Sequence, residues 1–226
     1  MPFPKNVTCV TFDVYGTLID RESKNYEAFS KEAARDGVEI DRGVLLAMFH
    51  EISREIEGGS YELYAEVLRR TAIEIAKRLE WALEPSRSGF LPDSVQRWMP
   101  FKETPIQLQK LAKKHKLGLL SNIDDKLLGQ TRRHIAVDFD LVVTAQQVRS
   151  YKPELPHFTE CARRMGGKRG WVHVAASHYH DVVPCVKQRV PVIWVNRNKE
   201  TLDSSQKKPT AEVTSLKEAA KLLGIT

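Results

Sequence analysis

Residues 7–20 constrain the fold of this chain more than any other stretch. The stretch opens with a short run of apolar and β-branched residues, 7–12, which is typical of a strand buried in a parallel sheet. The run ends in a carboxylate, Asp13, and the sharp turn Gly16-Thr17 follows. Ligands of an open parallel α/β sheet bind beyond the carboxyl ends of its strands. Asp13 is therefore placed for chemistry, and the alternative is that it only caps a turn.

The chain beyond residue 104 alternates between helical and strand patterns. Apolar runs predict four more strands, at residues 116–121, 140–144, 171–175 and 191–196. The helices between them are predicted at 127–135, 153–165 and 181–188, and a closing helix begins after Ser215. This alternation predicts an α/β fold, a parallel sheet covered by helices on both faces.

Residues 22–99 contain no convincing strand. Helical patterns run over 22–35, 44–57 and 60–81, and a shorter helix is predicted at 93–99. These residues form an all-helical insertion directly after the turn that follows the first strand. The sequence therefore predicts two domains: a core domain made of residues 1–18 and 101–226, and a helical domain made of residues 19–100.

The composition argues against several classes of protein. The net charge of +6 is spread along helices, without the basic face interleaved with aromatic residues that nucleic-acid binding needs. No run approaches the ~18 apolar residues of a membrane span, and the first residues are too short and polar for a signal peptide. Three cysteines without a CxxC spacing predict no disulfide framework, so we expect a reducing cytoplasm. The positive charge fits a small anionic partner.

Polar side chains follow four of the predicted strands. They are Asp13 and Thr17 after the first strand, Ser121 and Asn122 after the second, Lys152 after the third, and Ser177, His178, His180 and Asp181 after the fourth. Because the carboxyl ends of parallel strands lie at one edge of a sheet, we expect these side chains to meet in one cleft. Each has a plainer interpretation as a turn residue, a surface lysine or a helix cap.

Together these groups suit covalent hydrolysis. A buried carboxylate such as Asp13 can act as a nucleophile and form an ester. A cation such as Lys152 can keep that carboxylate ionised in a closed site. Hydroxyl and amide groups such as those of Ser121 and Asn122 can hold the anionic part of a substrate or a departing anion. A second carboxylate, Asp181, can act as a general base on the water that hydrolyses the ester.

Taken in order, residues 13–17, Ser121-Asn122, Lys152-Pro153 and residues 177–181 resemble the four motifs of the haloacid dehalogenase superfamily. The resemblance spans nearly the whole chain, and the helical insertion resembles the type-1 cap domain of that superfamily. The resemblance implies a Rossmann-like core, Asp13 as the nucleophile, Lys152 as its charge partner, and a cap that closes over the site.

At two positions this chain departs from the phosphatases of this superfamily, and at both it resembles the (S)-2-haloacid dehalogenase branch. Phosphatases carry a second Asp two residues after the nucleophile, where this chain has Tyr15. They also use fourth-motif acids to hold Mg²⁺, and Ala176 replaces the first of these. The resemblance therefore implies no cofactor, with Mg²⁺ only if the protein is instead a phosphatase. It implies that Asp13 displaces halide from C2 of a short carboxylate and that water then cleaves the ester.

Three positions depart from the dehalogenase branch as well. That branch has an arginine on the second cap helix to hold the leaving halide; here His50 stands in its place, with Arg54 one turn further along. It has a tyrosine where this chain has Phe158, and a Ser-Asn pair where this chain has Ser177-His178. His50 can hold a halide only if it is protonated or its N–H is aimed at the ion, and the alternative is that it binds no ligand.

From the resemblance we expect a 2-haloacid dehalogenase-like hydrolase with Asp13, Lys152 and Asp181 as catalytic residues. The residues expected to bind substrate are Tyr15, Thr17, Ser121, Asn122, Ser177, His178, His50 and Arg54. The alternatives are a phosphatase with an atypical first motif and a binding protein of the same fold that has lost turnover. The resemblance also implies a homodimer through paired caps. A metal held by the histidines near Asp181 is disfavoured by their spacing.

Overall fold

The computed structural model describes residues 3–225. Within this range the chain forms six β-strands: β1 Cys9–Phe12, β2 Lys116–Ser121, β3 Leu141–Thr144, β4 Trp171–Ala175, β5 Val192–Val195 and β6 Ala211–Val213. It also forms ten α-helices: α1 Arg21–Ala33, α2 Arg42–Glu57, α3 Tyr64–Arg78, α4 Phe90–Ser94, α5 Thr104–Ala112, α6 Asp125–Arg132, α7 Ala145–Val148, α8 Pro156–Met165, α9 Val183–Lys187 and α10 Leu216–Leu222.

The six strands lie in one parallel sheet with the order β3-β2-β1-β4-β5-β6. β1 lies between β2 and β4, so that Val10 pairs with Leu117 on one side and with Val172 on the other. Every residue of β1, β4 and β5 is buried. Strands covered on both faces carry continuous rather than alternating apolar runs, which is why the sequence revealed them. The predicted parallel α/β fold is confirmed.

The sixth strand is absent from the sequence-based prediction, which has five. β6 contains only three residues and only Val213 among them is buried. It pairs with β5 at the edge of the sheet, where Ala211 lies opposite Ile193. A run this short, with an exposed glutamate at its centre, carries no apolar period that a pattern could detect.

A cluster of fully buried side chains packs against the sheet and holds its strands in place. It joins residues of β2, β3, β4 and β5 with residues of α8 and α9 and of the segments that flank α9. The members are Leu120, Val143, Phe158, Cys161, Trp171, Val182, Cys185, Val190, Val192 and Trp194. The rings of Phe158 and Trp171 lie 6.5 Å apart between centroids. Burying each large apolar side chain contributes about 1.5–3 kcal/mol. The three cysteines are free and buried, without a disulfide.

The described residues divide into two compact units. The first, the core unit, contains the sheet and is made of the chain up to Ile19, Pro100–Asn122 and the chain from His134 onward. The second, the helical unit, is made of Asp20–Met99 and Ile123–Arg133. Within the helical unit α2 packs against α3, and the buried residues of α2 (Leu45, Phe49 and Ile52) recur every three or four positions, as on any helix with one buried face.

Asp124 ties the segment that contains α6 to the helical unit. Its carboxylate accepts hydrogen bonds from the backbone N–H groups of Tyr64 at 2.7 Å and Ala65 at 2.8 Å, at the start of α3. The first N–H groups of a helix need such acceptors, so Asp124 explains why α3 begins at Tyr64 rather than at residue 60. The predicted domain boundaries assign residues 123–133 to the core, and those boundaries stay a prediction.

Two other helices differ from the sequence-based prediction. α8 begins at Pro156 rather than at residue 153, and a proline suits the first helical position because its missing N–H would have no partner there. Residues 93–99 form no single helix, since α4 ends at Ser94 and a 3-10 turn follows at Val95–Arg97. Across residues 3–225, none of the helices combines the length and the apolar character that crossing a membrane requires.

Candidate active site

Asp13 stands at the carboxyl end of β1, where the backbone leaves the sheet. Its N–H still donates to the carbonyl of Val174 on β4, at 3.1 Å. The chain then turns through Gly16, whose φ of 96° lies in a region that residues with a side chain rarely adopt. The turn closes where the N–H of Gly16 donates to the carbonyl of Ile19, and Tyr15 forms a backbone bridge with Ile19. This turn leaves Asp13 8% exposed as a residue.

The ammonium of Lys152 joins two buried carboxylates. Its Nζ lies 2.9 Å from Oδ1 of Asp13 and 2.6 Å from Oδ1 of Asp181. It donates a third hydrogen bond, of 2.9 Å, to the carbonyl of Leu120 at the end of β2. Lys152 is 1% exposed and Asp181 is fully buried. The structure therefore brings together the three residues that the sequence put forward as catalytic.

Charge balance within this set decides its protonation. Burial disfavours the charged form of Lys152, but Asp13 and Asp181 outweigh burial and raise the pKa of the ammonium. Burial likewise opposes ionisation of Asp181, but Lys152 and then His173 outweigh it and lower the pKa of that carboxyl group.

Thr17 holds the second oxygen of Asp13. Its hydroxyl donates to Oδ2 at 2.8 Å and accepts a hydrogen bond of 2.8 Å from the backbone N–H of Ala176, just after β4. Oδ1 of Asp13 is bound by Lys152, so both carboxylate oxygens have a fixed donor. The plane of the carboxylate is thereby set by groups from the ends of three strands.

Asn122 holds the backbone of Lys152 rather than its side chain. The Asn122 Oδ1 accepts from the Lys152 N–H at 2.7 Å, and its Nδ2 donates to the Lys152 carbonyl at 3.0 Å. This pair of hydrogen bonds fixes the loop from which the ammonium enters the site. The geometry gives Asn122 a role in placing Lys152 beside its predicted role in binding substrate.

Ser121 ends β2 beside the Lys152 ammonium. Its Oγ is buried and has no hydrogen-bond partner among residues 3–225. Its carbonyl lies 3.2 Å from Nε2 of His157, a fully buried residue of α8. Burial, and then the charge of Lys152, lower the pKa of His157 to about 3, so this ring is neutral and donates from Nε2. His157 thus supports the strand end that carries the Ser121 hydroxyl.

The residues after β4 have separate partners. Ser177 caps the turn that follows, since its Oγ accepts from the N–H of His180 at 3.1 Å and lies 2.9 Å from Nδ1 of the same residue. His178 instead lies 2.7 Å from the carbonyl of Lys207 through its Nε2, and its ring packs against Trp194. Substrate binding by Ser177 and His178 stays a prediction, and their contacts in the structure serve the loops around the site.

A buried hydrogen-bonded chain behind Asp181 was missed at the sequence level. Nε2 of His173 lies 3.0 Å from Oδ1 of Asp181, and Nδ1 lies 2.8 Å from Oγ1 of Thr11. Thr11 in turn accepts from the indole of Trp171 at 2.7 Å. Thr11, Trp171 and His173 lie inside strands whose other residues are apolar, so the sequence pattern assigned them to the core. A histidine within an otherwise apolar strand was the one signal available.

His50 and Arg54 lie on α2 in the helical unit. Nε2 of His50 is 3.4 Å from Oε1 of Glu22, and Nδ1 is 3.4 Å from Nη2 of Arg21. Because a guanidinium only donates, Nδ1 accepts and the N–H of His50 faces Glu22, whose pKa it lowers. Arg21 also lies over the ring of Phe49, 5.7 Å from its centroid. Arg21 was not among the candidates that the sequence indicated. Arg54, which was among them, is exposed.

The donor set offers little to a metal ion. Across residues 3–225 there is no group of three or more His, Cys, Asp or Glu side chains arranged to hold one. Asp13 and Asp181 both direct an oxygen at the Lys152 ammonium, and Ala176 contributes no third carboxylate. Mg²⁺ prefers several oxygen ligands in octahedral geometry, which two carboxylates shared with a lysine do not supply.

The parallel α/β core presents a fixed carboxylate and a buried lysine beyond its strand ends. The chain belongs to the haloacid dehalogenase-like hydrolase family, whose model matches residues 7–176.

Relatives within this family differ in activity. An (S)-2-haloacid dehalogenase of Pseudomonas putida is 24% identical over 222 residues, which covers 97% of each chain. A glyceraldehyde 3-phosphate phosphatase of Methanothermobacter thermautotrophicus is 30% identical over 199 residues, which covers 83% of this chain and 84% of that protein. An L-2-haloacid dehalogenase structure from Xanthobacter autotrophicus, with chloropropionic acid covalently bound, superposes with a TM-score of 0.83 at 17% identity. This superposition covers 96% of this chain and 98% of the other, and shows a common fold.

Proposed function

We propose that this hydrolase releases halide from a short 2-haloalkanoic acid without a metal ion, through an ester on Asp13. The observation that carries the proposal is the hold on both oxygens of Asp13, by Lys152 at 2.9 Å and by Thr17 at 2.8 Å. A carboxylate that is oriented by fixed donors and largely shielded from water is prepared to act as a nucleophile. Tyr15 and Ala176, which replace two acids of the phosphatases, support the same assignment.

In the first step an oxygen of Asp13 attacks C2 of the substrate. The new C–O bond forms as the carbon–halogen bond breaks, and the halide leaves with the bonding electron pair. We assign the attack to Oδ2, since Thr17 is a neutral donor and withdraws less electron density from it than the Lys152 ammonium does from Oδ1. Oδ1 then becomes the carbonyl oxygen of the ester.

In the second step water attacks the ester at the carbonyl carbon of Asp13. Negative charge develops on Oδ1, against the Lys152 ammonium, in the manner of an oxyanion hole. The bond from this carbon to Oδ2 breaks. One proton of the water passes to Oδ2 and the other is released to solvent, so the 2-hydroxy acid leaves with Oδ2 and the water oxygen stays in the Asp13 carboxylate. We assign Asp181 as the group that binds this water. Its lowered pKa makes it a weak base, so it orients the water more than it removes a proton.

Substrate binding in the core unit is proposed for residues around these groups. Ser121 offers a buried hydroxyl with no other partner among the described residues, which suits a bond to the substrate carboxylate. Tyr15, Thr17, Asn122, Ser177 and His178 complete the set expected from the family.

The cation of the helical unit is proposed to be Arg21. Both nitrogens of His50 have partners within that unit, so His50 has no N–H to offer a halide while Glu22 accepts it. The Arg21 guanidinium lies 3.4 Å from Nδ1 of His50 through Nη2 and 5.7 Å from the centroid of the Phe49 ring. Arg54 remains the alternative that the sequence suggested.

A phosphatase activity is the second candidate function. The observation in its favour is the 30% identity with the glyceraldehyde 3-phosphate phosphatase. It requires Mg²⁺ and an acid for the leaving group, and neither Tyr15 nor Ala176 supplies a carboxylate. A homodimer and a cytoplasmic setting are further expectations of the proposal.

One comparison separates the two functions. Halide release from chloroacetate and (S)-2-chloropropionate is measured in EDTA, and phosphate release from glyceraldehyde 3-phosphate is measured in Mg²⁺, each with Asp13→Asn as the control. We expect halide release that survives EDTA and is lost in Asp13→Asn. Phosphate release that needs Mg²⁺, without any halide release, would contradict the proposal.

A further inference from the structure

His173 lies in the middle of β4 and is fully buried, at a position where a strand normally has an apolar side chain. Its ring links two groups: Oγ1 of Thr11 on β1, 2.8 Å from Nδ1, and Oδ1 of Asp181, 3.0 Å from Nε2. The ring of Phe158 meets it edge to face at 5.7 Å between centroids. A polar ring buried this way is retained only if both nitrogens are satisfied, and here both are.

Thr11 and Trp171 determine which nitrogen of His173 carries the proton. The indole N–H of Trp171 only donates, and it gives its hydrogen bond to Oγ1 of Thr11 at 2.7 Å. The Thr11 hydroxyl hydrogen is then available for Nδ1 of His173. Nε2 bears the ring hydrogen and donates to Asp181, an ionised carboxylate that only accepts. A ring with its hydrogen on Nε2 satisfies every group in this row.

This arrangement makes the two oxygens of Asp181 unequal. Oδ1 receives two donors, the Lys152 ammonium at 2.6 Å and the His173 ring at 3.0 Å. Oδ2 is buried and has no hydrogen-bond partner among residues 3–225. Rotation of the carboxylate would break two charge-assisted hydrogen bonds, so the ring keeps the same oxygen unengaged.

We propose that His173 is a positioning residue for hydrolysis: it holds Oδ1 of Asp181 on Lys152 and thereby presents Oδ2 to the water that attacks the Asp13 ester. The inference rests on the proposed function and deepens its second step. His173 itself contacts neither the nucleophile nor the reacting atoms. Its removal therefore affects hydrolysis of the ester more than formation of the ester.

The test follows the ester on Asp13 during turnover of (S)-2-chloropropionate, by rapid quenching and mass spectrometry of the intact chain. In His173→Leu, which lacks the donor, we expect hydrolysis to slow about tenfold or more while ester formation changes less than about threefold, so that ester accumulates. His173→Gln keeps a donor in reach of Asp181 and is expected to recover most of the hydrolysis rate. Phe158→Leu, which alters packing against the rings of His173 and Trp171 but removes no hydrogen bond of the row, is expected to leave the ratio of the two rates unchanged.

Equal slowing of ester formation and hydrolysis in His173→Leu would overturn the inference. If that variant does not fold, Thr11→Val replaces it, because loss of the hydroxyl releases the ring from its tautomer and is expected to cause the same accumulation to a smaller degree. Accumulation in neither variant is the overturning result.

A second measurement does not depend on turnover. ¹⁵N NMR of the wild-type protein reports which ring nitrogens of His173 carry hydrogen, and we expect a hydrogen on Nε2. If the wild type releases no halide, the proposed function fails, and this measurement still decides the ring arrangement. A ring whose Nε2 carries no hydrogen overturns the inference in either case.

Discussion

Arg197, two residues after β5, secures the turn that carries Thr17. Its Nη2 donates to the Thr17 carbonyl at 2.9 Å, and its Nη1 donates to Glu103 at 2.8 Å. The guanidinium carbon lies 3.8 Å from the centroid of the Phe101 ring, a cation–π contact. Because Thr17 holds Oδ2 of Asp13, Arg197 acts on the nucleophile through one intervening residue.

We predict that Arg197→Met lowers both stability and turnover. It removes two hydrogen bonds from a guanidinium that is mostly shielded, which should lower the free energy of unfolding by about 1–2 kcal/mol, measured by urea unfolding. The kcat should fall several-fold with little change in KM, since Thr17 orients the nucleophile. Lys208→Met, an exposed change on the loop between β5 and β6, is the control and should alter neither quantity. A rise in KM with kcat unchanged would contradict this role.

Single residues of the site differ in how well the sequence predicts their roles. Asp13, Lys152 and Asp181 each follow an apolar strand, so pattern and family resemblance together indicated all three. The structure brings both carboxylates within 2.9 Å of the Lys152 ammonium. His173 lies inside such a strand, where the apolar period assigns it to the core. Arg197 makes its contacts with residues far away in the sequence, and no local pattern records such a pairing.

The same distinction holds for helices and strands. The long buried strands and the helices of the insertion were predicted because their apolar residues recur with a clear period. The start of α3 was not predicted, because the residue that caps it is Asp124, sixty positions further along the chain. β6 was not predicted either, because it is a strand through its pairing with β5 and not through its apolar content. Local patterns therefore predict element interiors, and long-range hydrogen bonds set several of the ends.

At the scale of the whole molecule, the buried pair of Lys152 and Asp181 links stability to pH. The folded protein lowers the pKa of Asp181, so this carboxylate contributes stability above its ordinary pKa of 3.8 and loses the contribution as pH falls through the lowered value. The raised pKa of Lys152 has the opposite sign: its contribution is complete below 10.5 and is lost as pH rises through the higher value. Between these limits the pair stays charged.

We predict that Asp181→Asn removes part of the acid sensitivity. The free energy of unfolding, measured in urea at a series of pH values from neutral to about pH 3, should fall more steeply for the wild type than for Asp181→Asn at the acid end. The control is Glu154→Gln, which removes an exposed carboxylate and should run parallel to the wild type. Curves of Asp181→Asn and wild type that stay parallel down to the acid limit would show that Asp181 does not contribute in this way.

The central claim is that Asp13 forms the ester, and one turnover in ¹⁸O water tests it most directly. With the enzyme in excess over (S)-2-chloropropionate and EDTA present, water attacks the carbonyl carbon of Asp13, so the first hydroxy acid released takes its oxygen from Asp13. We predict that this product contains no ¹⁸O and that mass spectrometry finds ¹⁸O in the peptide containing Asp13. A product labelled in its first turnover, with Asp13 unlabelled, would mean that water displaces the halide directly and would contradict the account.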